Sequence, residues 1–205
     1  MARSEPTLRK SYADAPRLPL SPDHVDVRTL AVGEHVEIEI GPGRGAFLLE
    51  RAVAEPRAAL IGFEIKKKWA SVVDARLCTA GHAKRARVFA EDARVVLARL
   101  VPDASVRRFF LNFPDPWWKK KHQKRAIVAD PLLVEIARLL EPRGELFIQT
   151  DVRDRAEAYD ARILATKRFE GGAVIENPYG ARSNREKRVL GDGLPVHRSI
   201  HRLNL

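Results

Sequence analysis

Short apolar runs alternate with helix-length segments along most of this chain, and that alternation limits the fold more than any other feature. Seven runs have the composition of strands: residues 36–40, 58–64, 87–90, 106–112, 145–150, 168–175 and 196–203. Helical patterns lie between them, at 45–54, 66–80, after Asp92, at 131–140 and at 154–166. Elements that alternate in this way form an open, mostly parallel sheet with helices on both faces. The sequence therefore predicts a doubly wound α/β fold.

The length of the chain, 205 residues, predicts one domain with a full-sized core. Residues 1–22 contain four prolines and scattered charges, so we expect a flexible basic arm or a tail that lies on the surface. Residues 23–205 then form the single domain. Within it, residues 176–195 are polar and rich in turn formers, which predicts a long loop.

The formal net charge of +10 indicates a polyanionic partner, most simply nucleic acid. A basic protein without such a partner is the alternative. The single cysteine, Cys78, excludes an internal disulfide framework, and the six histidines have no metal-like spacing, so no metal is expected. No signal peptide is visible, and no apolar run reaches about 18 residues. We therefore expect a soluble, cytoplasmic protein that does not cross a membrane.

The fourth predicted strand ends in Asn-Phe-Pro-Asp-Pro-Trp at residues 112–117. Two prolines restrict the backbone around Asp115, so its carboxylate is presented at a strand end, where open α/β sheets form their ligand crevice. Five cations follow among residues 119–125, next to Trp117 and Trp118. A fixed anion, aromatic surface and a group of cations together predict a site for a nucleobase attached to phosphates.

Residues 39–45, Glu-Ile-Gly-Pro-Gly-Arg-Gly, lie at the first predicted strand-to-helix turn. Glycines allow the chain to turn sharply there and allow a ligand to approach bare backbone. The pattern by itself indicates a nucleotide-like cofactor. A dinucleotide site and a purely structural tight turn are both compatible with the same spacing.

Three acids are expected around this turn. Glu64 ends the second strand, where a carboxylate can accept both hydroxyls of a ribose, and Asp92 could accept from an adenine amine. Glu39 directly precedes the glycines and could bind a cationic amino group. Because Glu39 would serve a phosphate pair poorly, the set favours a cofactor with sulfonium and ammonium groups, such as S-adenosylmethionine. Unrelated surface acids at strand ends are the structural alternative.

The combined motifs resemble those of bacterial tRNA (guanine-N(7))-methyltransferases, along nearly the whole chain after the first 22 residues. The matching landmarks are Glu39-Ile40-Gly41, Gly62-Phe63-Glu64, Asp92, residues 112–117 with the following basic run, and Gln149-Thr150-Asp151. The resemblance implies a class I methyltransferase fold with an antiparallel last strand. It also implies S-adenosylmethionine as methyl donor and a guanosine at position 46 of the tRNA variable loop as acceptor. The sequence leaves open whether the protein is a monomer or a homodimer.

The resemblance also implies roles for individual residues. The expected cofactor-binding residues are Glu39, Gly41, Gly43, Gly45, Glu64, Asp92, Asn112 and Asp115. Asp115 is further implied as the catalytic residue, and Lys119 and Asp151 as substrate contacts.

A last substrate element is usually Thr-x-Phe-Glu in this family. At its place the chain has Ser183-Asn184-Arg185-Glu186, so Ser183 and Glu186 are the expected substrate contacts, and arginine replaces the aromatic residue. The rest of the basic run is expected to bind tRNA phosphates, through Lys120, Lys121, Lys124 and Arg125.

The chemistry suits these residues, because N7 of a purine has a free in-plane lone pair and no proton to lose. Its methylation needs alignment and a fixed anion such as Asp115, and no general base. A nicotinamide oxidoreductase would share the glycine turn and Glu64 but leaves Glu39 and the basic run unexplained. Two further alternatives are a methyltransferase that acts on a base exocyclic amine of another RNA and a non-catalytic RNA-binding relative.

Overall fold

The computed structural model describes residue 12 and residues 15–21, 23–114, 128 and 130–204. Its strands are β1 (Val25–Asp26), β2 (His35–Ile40), β3 (Ala58–Phe63), β4 (Ala86–Phe89), β5 (Leu100–Val101), β6 (Val106–Asn112), β7 (Leu140–Thr150), β8 (Phe169–Val174) and β9 (His197–Leu203). Its helices are α1 (Ala46–Ala54), α2 (Lys67–Thr79), α3 (Ala93–Val96), α4 (Asp130–Leu139), α5 (Arg153–Ala165) and α6 (Asn184–Gly191). Among the described residues, no helix is long and apolar enough to span a membrane.

Seven of these strands form one sheet in the order β4-β3-β2-β6-β7-β9-β8. The strands from β4 to β7 are parallel, β9 is antiparallel to β7, and β8 is antiparallel to β9. The chain runs outward from β2 in one direction through β3 and β4, then returns to β6 on the other side of β2. Such a reversal places the ligand crevice of α/β proteins at the carboxyl ends of the strands. The predicted doubly wound, seven-stranded sheet with an antiparallel last strand is confirmed.

The central strand β2 has two different faces. Val36, Ile38 and Ile40 belong to the larger hydrophobic core and are at most 4% exposed. Side chains alternate along a strand, so Glu37 and Glu39 share the opposite face. Both are 1% exposed. A buried strand with two carboxylates on one face needs partners for them.

Glu37 is balanced by arginines from two neighbouring elements. Arg51 of α1 donates to its carboxylate at 2.8 and 2.7 Å, and Arg108 of β6 donates to it at 2.8 Å. Burial alone would raise the pKa of Glu37, but hydrogen bonds from its neighbours lower that pKa to about 2. Arg108 also donates to Glu145 of β7 at 2.9 Å, and Arg202 of β9 donates to Glu145 at 2.9 Å. A row of alternating charge therefore crosses four strands.

Aromatic side chains cover the same face of the sheet beside this row. The ring of Phe110 lies 4.7 Å from that of Phe47 in α1 and 4.9 Å from that of Tyr179, between centroids. Phe147 completes the cluster from β7. Because Tyr179 belongs to the segment between β8 and α6, the cluster docks that segment on the sheet.

The loop predicted at residues 176–195 is wrong in part, because its second half contains α6. The hydroxyl of Ser183 caps this helix and accepts from the backbone N–H of Glu186 at 3.1 Å. The buried side chains of α6 are Glu186 and Val189. A helix that buries one apolar residue lacks the periodic apolar stripe from which helices are predicted, so its sequence resembles that of a loop.

Two short strand pairings also escape sequence analysis. β7 begins at Leu140 rather than at residue 145. Leu140 pairs with Val106, and a register shift separates this pair from the rest of the pairing between β6 and β7. β1 and β5 form a separate two-stranded parallel sheet. Both features depend on partners far away in the chain, which local composition does not reveal.

Residues 15–21, which belong to the predicted arm, lie against the domain. Ala15 and Leu18 are 5% and 3% exposed. The backbone N–H of Ala90 donates to the carbonyl of Pro16 at 2.6 Å, and the N–H of Leu18 donates to Glu91 Oε1 at 3.2 Å. This segment therefore runs past the turn after β4. Residues 1–11 lie outside the described residues, so the flexible arm stays a prediction for them.

The close packing of Gly45, which directly precedes α1, on Val73 of α2 can be tested by substitution. It has φ of +75°, and a Cβ at this position would lie 2.2 Å from Cγ1 of Val73. Gly81 has a similar φ of +82° and nothing within 4 Å of the same point. We expect Gly81→Ala to lower the free energy of unfolding by about 1–2 kcal/mol through backbone strain alone. Gly45→Ala should lower it by about 1–3 kcal/mol more, because Val73 must move.

Urea unfolding of both alanine variants measures this difference. Equal losses at the two positions would contradict a packing role for Gly45.

Candidate functional site

The turns that follow β2, β3, β4 and β6 meet at one edge of the sheet and, with the start of α6, enclose a cavity of about 350 Å³. This volume lies in the range of sites for cofactor-sized ligands. The predicted site residues in its lining are Glu39, Gly41, Gly43, Glu64, Asp92, Asn112 and Ser183. The fold therefore brings together in space residues that are far apart in sequence.

Two of the three glycines in the first turn border the cavity. A Cβ added to Gly41 or Gly43 would meet no atom of the described residues within 4 Å, so bare backbone faces the cavity at both positions. Gly45 is not part of the lining, since it packs on Val73 as described above. The cavity wall at this turn is thus formed by main chain, which lets a ligand come close.

Glu64 is held at the end of β3 by two backbone N–H groups. Gly43 donates to Oε2 at 2.9 Å, and Lys66 donates to Oε1 at 2.9 Å. The residue is 5% exposed. Each carboxylate oxygen has more than one lone pair, so both can accept a further hydrogen bond from a ligand. The carboxylate of Glu64 is therefore held in one orientation and can still accept further hydrogen bonds.

Glu39 is the most unusual group in the cavity. Asn112 donates its Nδ2–H to Oε1 at 2.7 Å, whereas Oε2 is buried and has no hydrogen-bond partner among the described residues. Burial raises the pKa of Glu39 to about 8, and the nearby charge of Glu64 adds to this rise. A buried carboxylate oxygen without a partner in the described part of the chain is suited to a cationic group, which would favour the ionised form.

Asp92 caps α3 and is partly engaged by its neighbour. It accepts from the backbone N–H of Arg94 at 3.0 Å and from Nε of the same arginine at 2.9 Å. This side-chain hydrogen bond holds the pKa of Asp92 below its usual range. The carboxylate is therefore ionised at neutral pH and oriented at the cavity wall.

Trp69 also lines the cavity, although sequence analysis did not select it. It lies in the first turn of α2, and the guanidinium of Arg44 is 5.4 Å from its ring centroid. A single aromatic residue on an amphipathic helix is usually a core residue, so the sequence does not show that Trp69 lines a cavity. Its exposure to the cavity is a result of the fold.

Arg185 and Phe113 form another part of the wall. The guanidinium of Arg185 lies 5.7 Å from the ring centroid of Phe113 and donates to Asp151 Oδ2 at 2.8 Å. Phe113 has φ of +53°, which is rare for a bulky residue before a proline, and its N–H donates to the carbonyl of Gln149 at 2.8 Å. Asp151, predicted as a substrate contact, is thus paired with the arginine that replaces the family's aromatic residue.

Glu186, the other predicted substrate contact in this segment, has its carboxylate inside the protein and is 0% exposed. It accepts from Gln149 Nε2 at 2.9 Å and from Arg198 Nη2 at 3.0 Å. Gln149 Nε2 also donates to Oδ1 of Asn112 at 2.7 Å. A continuous series of hydrogen bonds therefore joins Glu186 to Asn112 and, through it, to Glu39.

Six predicted site residues lie outside the described residues: Asp115, Lys119, Lys120, Lys121, Lys124 and Arg125. Their roles stay predictions from the sequence. In the described parts of the chain, no group of three or more His, Cys, Asp or Glu side chains could hold a metal ion.

Comparison with known proteins identifies the family. Residues 33–197 match the family model described as "Putative methyltransferase". A tRNA (guanine-N(7)-)-methyltransferase of Synechococcus sp. (strain JA-3-3Ab) is 34% identical over 183 residues, which cover 88% of this chain and 77% of that protein. The protein of the same name from Myxococcus xanthus (strain DK1622) is 36% identical over 169 residues, covering 80% and 81%. This chain belongs to the tRNA (guanine-N(7)-)-methyltransferase family.

Solved structures of other methyltransferases share the fold. The 16S rRNA methyltransferase KamB superposes with a TM-score of 0.58 at 16% identity and covers 84% of this chain and 89% of its own. A variant 16S rRNA (adenine(1408)-N(1))-methyltransferase from Catenulisporales acidiphilia, solved with its cosubstrate SAM, has a TM-score of 0.57 at 15% identity and covers 87% and 89%. At such identities the likeness shows the methyltransferase fold alone.

The buried carboxyl of Glu39 predicts a specific dependence of stability on pH. In the unfolded chain Glu39 ionises near its ordinary pKa of 4.5, whereas the folded protein retains the proton until about pH 8. The stability that this proton provides is fully present below pH 4.5 and is lost as the pH rises towards 8. Glu39→Gln, which stays neutral, should therefore gain stability relative to the native protein by on the order of a few kcal/mol between about pH 5 and 9.

Free energies of unfolding from urea titrations across this range measure the effect. Glu176→Gln, which changes an exposed glutamate, is the matched control and should show no such trend. A difference between Glu39→Gln and native protein that is independent of pH would contradict the retained proton.

Proposed function

We propose that this protein transfers a methyl group from S-adenosylmethionine to N(7) of a guanosine in tRNA, at position 46 of the variable loop. The observation that carries the proposal is the buried oxygen of Glu39 at the wall of the cavity, which has no hydrogen-bond partner among the described residues, in a chain of this methyltransferase family. A tRNA partner also accounts for the formal net charge of +10 and agrees with a cytoplasmic protein.

The residues of the cavity fit this cofactor, which when bound supplies a methyl group on a positively charged sulfur. Glu39 would hold the ammonium group, since its Oε2 has no partner among the described residues. Glu64, fixed by two N–H groups, would accept from the ribose hydroxyls, and Asp92 from the adenine amine. The open space beside Gly41 and Gly43 leaves room for the ligand against the main chain.

Two predicted cofactor residues would act indirectly, through the groups that they hold in place. Asn112 donates to Oε1 of Glu39 at 2.7 Å, and Oε2, which has no partner in the described part of the chain, would bind the ligand. Gly45 lets α1 pack closely against Val73 of α2, and this contact holds the preceding turn in place.

The acceptor chemistry requires little from the protein beyond alignment and charge. The N7 lone pair would form a bond to the methyl carbon while the carbon–sulfur bond of the donor breaks and a neutral thioether leaves, so no proton has to be removed. A positive charge then moves onto the base, and Asp115 is proposed as the fixed anion that stabilises it while orienting the donor edge of guanine.

The RNA contacts are proposed to come from the basic run and from the residues Asp151 and Ser183. Lys119 and Asp151 would contact the guanosine, and the remaining cations of the basic run would bind phosphates. The hydroxyl of Ser183 accepts from α6 and keeps its own hydrogen for a substrate oxygen. Asp151 would exchange its pairing with Arg185 for a pairing with the substrate.

Asp115→Asn tests the catalytic assignment. We expect cofactor affinity close to that of native protein, because Glu39, Glu64 and Asp92 are unchanged. Turnover should fall at least about a hundredfold, because the transition state loses its fixed anion. Transfer of labelled methyl from S-adenosylmethionine to unmodified tRNA, followed by nucleoside analysis, measures turnover and identifies the product.

Asp154→Asn removes a carboxylate from an exposed position of α5 and should leave the rate unchanged. Asp115→Asn that forms 7-methylguanosine at the native rate would remove Asp115 from the mechanism. Methylation of an exocyclic amine by native protein would support the alternative enzyme, and cofactor binding without transfer to any RNA would indicate a binding module.

The basic run predicts a strong salt dependence of tRNA binding. If all five cations between 119 and 125 contact phosphates, a plot of log K against log salt has a slope of about −3.5 to −4.5. The double change Lys120→Gln and Lys121→Gln should reduce the magnitude of the slope by about 0.7–0.9 per lysine.

The matched control is the double change Lys84→Gln and Lys167→Gln. These two exposed lysines precede β4 and β8, at the edge of the sheet opposite the cavity. Their loss should leave the slope almost unchanged. If both double variants change it equally, the basic run is not a localised phosphate site.

A further inference from the structure

The hydrogen bonds between Glu186 and Glu39 have a defined direction. Gln149 donates its Nε2–H groups to Glu186 Oε2 at 2.9 Å and to Asn112 Oδ1 at 2.7 Å. Asn112 then donates its Nδ2–H to Glu39 Oε1 at 2.7 Å. Both amides therefore point their N–H groups towards a carboxylate, one at each end of the series.

The charge of Glu186 explains this direction. An ionised carboxylate only accepts hydrogen bonds, so it requires the N–H end of Gln149. That end also faces Asn112, which must present its oxygen to Gln149 and hence its N–H to Glu39. The cost is visible, because Oε1 of Gln149 is buried without a partner among the described residues. A neutral side chain in place of Glu186 would not impose the same direction.

The surroundings of Glu186 fix its position as well as its charge. Arg198 Nη2 donates to Oε1 at 3.0 Å, and Asn177 Nδ2 lies 3.3 Å from both oxygens. The side chains of Glu186 and Arg198 are 0% and 8% exposed. Gln149 of β7, Arg198 of β9 and Asn177 of the segment before α6 therefore hold the carboxylate inside the domain.

We propose that Glu186 is a positioning residue for the cofactor site, which fixes through Gln149 and Asn112 the N–H group that faces Glu39. The inference rests on the proposed function and deepens it. It assigns to Glu186 an effect on the cofactor that is present when no RNA is bound.

The location of Glu186 links this effect to the RNA side of the site. It lies in the first turn of α6, whose cap Ser183 and neighbour Arg185 line the mouth of the cavity. A substrate that moves the start of α6 would act on Glu39 through the same hydrogen bonds. By thermodynamic reciprocity, cofactor binding would then change RNA affinity by the same factor.

Glu186→Gln tests the proposal. The new amide can donate to the unpartnered oxygen of Gln149, which reverses both amides and turns the oxygen of Asn112 towards Glu39. An oxygen in that place favours the protonated form of Glu39 and opposes a bound cation. We expect the dissociation constant of S-adenosylhomocysteine, measured by calorimetry without RNA, to rise about tenfold.

Two controls separate positioning from general loosening. Glu176→Gln makes the same change at an exposed position and should leave the affinity unchanged. In a Glu39→Gln background, Glu186→Gln should cause no further loss, since no carboxylate remains to be oriented. Losses that add fully in the double variant would overturn the proposal, because they would show a structural effect independent of Glu39.

Gln149→Met offers a second route if Glu186→Gln does not fold. It removes the connecting amide, keeps a side chain of similar length, and leaves Glu186 paired with Arg198. The same loss of S-adenosylhomocysteine affinity is expected. Native affinity, within about twofold, in every folded variant would overturn the inference.

The outcomes distinguish this inference from the proposed function. Native protein that methylates tRNA, together with variants of unchanged S-adenosylhomocysteine affinity, would refute the role of Glu186 alone. Native protein that binds no S-adenosylhomocysteine would refute the proposed function itself.

Discussion

Two buried carboxylates on one face of the central strand determine how the rest of this structure is arranged. A buried charge is costly unless it is paired, so each carboxylate needs a compensating group. Glu37 is paired with Arg51 and Arg108, which tie α1 and β6 to β2. Glu39 has no such cation among the described residues, and its second oxygen has no hydrogen-bond partner among them. Among the described residues, one face of β2 therefore carries a carboxylate with cationic partners and, two residues further along, a carboxylate without any.

The strand registers arrange this face in three rows that follow one another towards the carboxyl edge. The first row alternates in charge from Glu37 to Arg202, and the second places Glu39 beside the aromatic residues Phe110 and Phe147. The third contains the amides that connect the cavity to α6. Paired charges and aromatic contacts thus stabilise the part of the sheet away from the cavity. Three of the five buried polar atoms without a partner among the described residues lie on Glu39, Gln149 and Arg198, in the two rows nearer the carboxyl edge, whereas the other two, on His35 and His201, lie further from that edge.

Much of this arrangement could be predicted from sequence, because parallel strands leave strong local signals. The apolar runs locate all seven strands of the main sheet, and the ends of those strands give the edge where Glu39 and Glu64 meet. Helix α6 could not be predicted, since it is held by one buried apolar residue and a buried ion pair rather than by an apolar stripe. The exposure of Trp69 to the cavity was equally hidden, because a cavity is formed by distant segments.

The sequence by itself determined which chemical groups stand at the strand ends, and hence the family to which the chain belongs. Only the tertiary structure decided how those groups behave. Glu39 retains its proton to about pH 8 because the fold buries it beside Glu64, and the hydrogen bond that it accepts from the described residues comes from Asn112, 73 residues away. Glu186 faces inward because Gln149 and Arg198 converge on it. Ionisation and hydrogen bonding depend on burial and on neighbours in space, and residue order alone does not specify either.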